Sequence, residues 1–98
     1  MNENNLTTIK ALVKQCLGIV ATATIKDDEI EMLIKTAIAD MQRLAIEVDL
    51  TNAMHQTAIV QFCKGNFGML DNATKQMCMQ SYNLLVSSIQ LNVDETED

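Results

Sequence analysis

Apolar residues recur at helical spacing in four stretches of this chain, and short polar or glycine-bearing segments separate them. In the first, residues 8–17, Ile9, Leu12, Val13, Cys16 and Leu17 share one helical face. Thr7 or Thr8 stands ready to cap it and Gly18 to end it. Residues 19–26 contain a β-branched run that predicts an extended connector. The second stretch, residues 28–46, carries Ile30, Leu33, Ile34, Ala37, Ile38, Met41, Leu44 and Ala45 in register. Asp28 and Glu31 have capping-box spacing, and Asp27, Asp28 and Glu29 set negative charge at the positive end of the helix dipole. Glu31 and Lys35 stand in the favourable order for an ion pair along the same helix.

A connector at 47–51 offers Asp49 or Thr51 as the next cap. The third helix, residues 52–67, has Ala53, Met54, Ala58, Ile59, Val60, Phe62, Cys63 and Phe67 around most of its circumference. A helix apolar nearly all round belongs in the middle of a bundle. Gly65 weakens its last turn and Gly68 ends it. Asn72 is placed to cap a fourth helix, residues 72–91, with Cys78, Tyr82, Leu85 and Ile89 as its stripe. The fold expected is a compact all-α bundle of about four helices. It is one domain over residues 1–92, followed by an acidic tail, 93–98, expected to be disordered.

Composition adds weight to helix, with no Pro and three Gly in 98 residues. Charge narrows the function. Seven Lys and Arg against thirteen Asp and Glu leave a net charge of −6, against any protein whose affinity comes from neutralising phosphates. Between Leu50 and Val93 the only formal charges are Lys64, Asp71 and Lys75. Such a stretch suits a face covered by other subunits, since charge is depleted in interface cores. Met69 and Leu70 fall in a predicted loop, where apolar side chains invite a partner. With Val48 and Leu50 of the 47–51 connector, they are the candidate subunit or partner interface. No run approaches the roughly 18 apolar residues of a membrane span. The polar start, MNENNLTT, lacks the basic-then-apolar pattern of a secretory signal. Cys16, Cys63 and Cys78 show no disulfide-framework spacing and read as small buried hydrophobes of a reducing cytoplasm.

Catalytic chemistry finds little to use. His55 is the only histidine, so any nucleophile–histidine pair must recruit it. Its place in the first turn of the third helix suits a solvated or hydrogen-bonded imidazole. His55 and Cys63 lie eight residues apart on one helix, about 12 Å along its axis, too far to share a zinc ion. KGNFG, residues 64–68, closes a helix instead of opening one, unlike a phosphate-binding loop. No catalytic, cofactor-binding or metal-binding residue is assigned.

Together the segments IKALVKQCLGI (9–19), DDEIEMLIKTAIADM (27–41), VQFCKGNFG (60–68) and QSYNLLVSSI (80–89) resemble the small helical head–tail connector, or DNA-packaging adaptor, proteins of tailed bacteriophages. The resemblance implies a structural, non-enzymatic subunit of phage or prophage origin, made in the bacterial cytoplasm and located in the virion at the head–tail junction. Members form a homo-oligomeric ring of about a dozen copies under the portal protein. The ring extends the DNA channel and docks head-completion or tail proteins, while DNA passes through without sequence-specific binding. An acidic balance fits such a conduit, because a basic lumen would hold phosphates through counterion release. The alternative is a small acidic helical regulator or inhibitor that covers a basic protein surface through its acidic tail.

Overall fold

Four helices form where the hydrophobic spacing asks for them: α1 (Glu3–Cys16), α2 (Asp27–Arg43), α3 (Ala53–Asn66) and α4 (Asn72–Glu97). The computed structural model describes residues 3–97, with side chains for residues 4–91. No strand occurs among the described residues, so the chain is all-α. The helix expected to stop near residue 91 runs on to Glu97, because neither Gly nor Pro interrupts the acidic segment expected to be disordered. Asp98 lies outside the described residues.

The helix ends differ from expectation for local reasons. α1 begins at Glu3, and Thr8 lies inside it, donating its hydroxyl to the Asn4 carbonyl instead of capping. α2 starts after Lys26 with no side-chain cap, so the Asp28–Glu31 capping box does not form. At α3 the cap is Asn52, whose side-chain oxygen accepts from the Met54 and His55 amides. Asp49 instead closes a turn by accepting from the amide and hydroxyl of Thr51. Asp71, not Asn72, caps α4, accepting from the amide and hydroxyl of Thr74.

Two C-termini share one device. Ile19 N–H donates to Lys14 O and Gly18 N–H to Gln15 O. At the end of α2, Ile46 N–H donates to Met41 O and Ala45 N–H to Gln42 O. Both are Schellman motifs, which need a left-handed residue in the turn. Gly18 supplies it with φ 74°, and Ala45 supplies it with φ 64° despite its Cβ.

α3 packs against each of the other three helices, as its apolar circumference predicts. The core gathers Ile9 and Val13 of α1, Ile30, Ile34, Ala37 and Met41 of α2, Ala58, Ile59 and Cys63 of α3, and Tyr82, Val86 and Ile89 of α4. The Phe62 and Tyr82 rings meet edge to face, 5.1 Å apart. The least dimension of the molecule, 19 Å, is that of two stacked helix layers.

Gly65 is buried where α4 crosses α3. A Cβ there would sit 2.5 Å from both Cγ and Sδ of Met79 and 3.3 Å from the Met79 backbone nitrogen. The glycine read in sequence as a weak point in the last turn is therefore a place where the two helices approach too closely for a side chain.

Two stability tests follow from these backbone features. Ala45→Gly removes the steric cost of the left-handed turn and should raise stability by about 0.5–1 kcal/mol, net of the extra freedom glycine gives the unfolded chain. Gly65→Val overfills the α3–α4 crossing and should lower stability by about 1–3 kcal/mol. Chemical denaturation reads both, and a neutral Gly65→Val would show that the crossing is not close-packed.

Candidate interaction surface

The surfaces of this bundle are held in place by a few buried polar ties. Lys14, on the inner side of α1, is nearly fully buried, an unusual place for an ammonium group. Its Nζ donates to the carbonyls of Ala21 (3.0 Å) and Ala23 (2.6 Å) and lies 2.9 Å from Asp27 Oδ1. Those bonds fold residues 19–26 into successive turns, where the β-branched run predicted an extended connector. Asp27 Oδ1 is buried and makes no well-aligned hydrogen bond, so the ammonium is what offsets its charge. That neighbour holds the Asp27 carboxyl below the usual range. Lys10 adds a second link from α1, 2.9 Å from Glu31 and 3.8 Å from Asp27. Glu31, expected to pair with Lys35 along its own helix, pairs with α1 instead.

Glu29 reaches the other way, accepting the Gly68 amide at 3.2 Å and steadying the α3–α4 loop. Farther along α2, Asp40 accepts the Tyr82 phenol at 2.6 Å and the Arg43 guanidinium at 2.8 Å. The Tyr82 bond first, and Arg43 second, keep the Asp40 carboxyl below its ordinary value. Burial, reinforced by Asp40, raises the Tyr82 phenol.

The residues with catalytic chemistry are occupied structurally. His55 Nδ1 accepts the Asp49 amide at 2.9 Å, so the neutral ring joins the α2–α3 connector to α3. Burial lowers the His55 pKa, against the pull of the Asp49 carboxylate. Cys63 is buried, which pushes its thiol up to about 12, far from the thiolate a nucleophile needs. Cys78 is also buried, but Cys16, expected to be buried, is exposed at the end of α1. No three His, Cys, Asp or Glu side chains converge on a metal-sized site among the described residues.

The four predicted interface residues separate. A turn closed by Leu70 N–H to Phe67 O sets Met69 on its outward corner, 71% exposed. Leu70 and Val48 are partly buried against the core. Leu50, only 8% exposed, is a core residue with almost no surface to offer a partner. The spacing that makes a connector residue apolar does not reveal whether it points inward, and Leu50 does.

Sequence reading of α4 followed its buried stripe and passed over a second one. Met77, Leu84 and Leu91 are all exposed, seven residues apart, on the side opposite Cys78, Tyr82, Val86 and Ile89. Their seven-residue repeat was the available signal. On α2, Asp28, Glu31, Met32, Lys35, Thr36 and Ala39 line a shallow outward groove.

The titrations give a signed test. The folded pKa of His55 lies below its ordinary 6.5, so its contribution is present above that value and is lost as pH falls through the folded pKa. Asp27, Asp40, Asp49 and Asp71 are all lowered from 3.8, so their contributions disappear at still lower pH. Thermal melts should therefore lose stability in two acid steps, and His55→Gln should remove the one that begins near pH 6.5. A histidine NMR titration at or above 6.5 would contradict the buried neutral ring.

Neither a curated protein nor a solved structure matches the chain. The family described as phage connector protein matches residues 9–97, from the first buried isoleucine of α1 to the end of α4. With nearly its whole length matched and an all-helical fold, the chain belongs to the phage connector protein family.

Proposed function

We propose that this protein is a structural subunit of the phage head–tail junction, assembling as a ring of about a dozen copies beneath the portal protein. The ring extends the DNA channel and presents its far side to head-completion or tail proteins. The family match over residues 9–97 carries this reading. Two features of the chain support it. Charge is almost absent from residue 50 to residue 93, as expected of surface that other subunits cover. Large apolar side chains stand exposed on the α3–α4 turn and on α4.

The acidic balance suits passage of DNA, because few cations are available to hold its phosphates. The subunit needs no chemistry of its own: it positions surfaces, and the buried ties of Lys14, Asp40 and His55 keep those surfaces fixed.

Met69 serves as an anchor for a partner in this assembly. It fills no space in the core and projects from a turn steadied by Glu29. Co-sedimentation of the chain with its cognate portal protein tests the function, and Met69→Glu tests the anchor. The native chain should bind in many copies per portal assembly. Met69→Glu should bind several-fold more weakly with an unchanged melting temperature. Failure of the native chain to bind any portal assembly would remove the proposed function, and full binding by Met69→Glu would remove Met69 from the interface.

A further inference from the structure

We infer that copies exchange α1 as they assemble: each lays its α1 on α2 and α3 of the next copy, and residues 17–26 extend to carry it there. The inference rests on the ring reading and names the element that links neighbours in the ring.

Seat and occupant are both visible within one chain. α1 lies on α2 and α3, with Ile9 and Val13 buried. Lys10 pairs with Glu31 and Asp27, and Lys14 pairs with Asp27. All three ion pairs join α1 to α2, so they form equally well when the two helices come from different copies.

What exchange gives up is confined to the connector. Residues 20–25 are all exposed, so the folded connector buries none of their side chains. Val20 and Ile25 stand 69% and 91% exposed. Four of the six, Val20, Thr22, Thr24 and Ile25, are β-branched and favour extended backbone. Two backbone bonds keep the turns, Ala23 N–H to Val20 O and Asp27 N–H to Thr24 O. Lys14 supplies the rest, through the bonds that its Nζ donates to the Ala21 and Ala23 carbonyls. Lys14 is therefore the pin that folds a segment against its local preference. A hinge whose sequence disagrees with its fold is the kind through which identical copies exchange an element.

The reach is sufficient. Ten residues separate α1 from α2. Extended, they span about 33 Å, more than the 19 Å least dimension of the subunit. Extension also carries Val20 and Ile25 across the junction between copies, where they leave water. Around a closed ring each copy gives one α1 and receives one, so no seat stays empty.

Isotope mixing with a zero-length cross-link tests the exchange without altering the chain. Equal amounts of isotope-labelled and unlabelled chain are mixed, bound to portal protein and treated with a carbodiimide. The reagent joins the Lys10 amine to the Glu31 carboxylate across their 2.9 Å contact. Peptide mass spectrometry then reads whether the two linked halves carry the same label. In dilute free chain every link should be uniform, whereas on the portal about half should be mixed. Lys14→Met should raise the mixed fraction several-fold in concentrated solution without portal. If many copies bind and every link stays uniform, the exchange is overturned and the ring reading survives. A folded Lys14→Met chain whose mixed fraction matches the native one would overturn Lys14 as the pin. If native chains do not assemble on the portal, the ring reading falls and the inference falls with it.

Discussion

The close approach of α3 and α4 at Gly65 is the constraint on which the outer surface depends. With no side chain at residue 65, Met79 settles against the α3 backbone, and its Sδ accepts from Asn66 Nδ2 at 3.4 Å. That contact sets the roll of α4. Cys78, Tyr82, Val86 and Ile89 then face the core, and Met77, Leu84 and Leu91 are turned outward. Tyr82, about one turn beyond Met79, fixes the same rotation through its ring on Phe62 and its hydroxyl on Asp40. A rotation of α4 by one residue would bury part of the outer ridge and expose part of the core stripe.

Much of the fold was legible because helical periodicity is a local signal. The five buried apolar residues of α2 were all among those its spacing picked out, and the all-round apolar character of α3 placed it correctly among its neighbours. The ends were less legible, since each depends on which of several capable side chains reaches the free amides. Asp28, Asp49 and Thr51 are all competent caps, and the structure uses Asn52 and Asp71. Ala45 in a left-handed turn could not be foreseen, because residues with a Cβ avoid that conformation and only the Schellman bonds around it hold it there.

The long-range polar ties were invisible for a different reason. Nothing in the residues around Lys14 distinguishes a lysine that points to solvent from one that gathers two carbonyls and a carboxylate. Its burial is tolerable only because those partners replace water around the ammonium. Of the candidate interface residues, Met69 stands exposed on the α3–α4 turn, while Leu50 turns inward. The larger exposed feature, the α4 ridge, was present in the sequence as a seven-residue repeat but was eclipsed by the stronger buried stripe beside it. Of the two apolar stripes on this helix, the rest of the chain covers only one.

A connector needs rigid contact surfaces more than reactive groups, and this chain spends its polar side chains accordingly. Its histidine and buried cysteines serve the core and connectors, its acidic residues tie helices and connectors together, and large apolar side chains lie outside. Electron cryo-microscopy of the chain bound to its portal protein tests this account most directly. The account predicts a closed ring of about a dozen copies, coaxial with the portal and surrounding a continuous channel. Isolated copies scattered on the portal, or a closed assembly away from its axis, would contradict it.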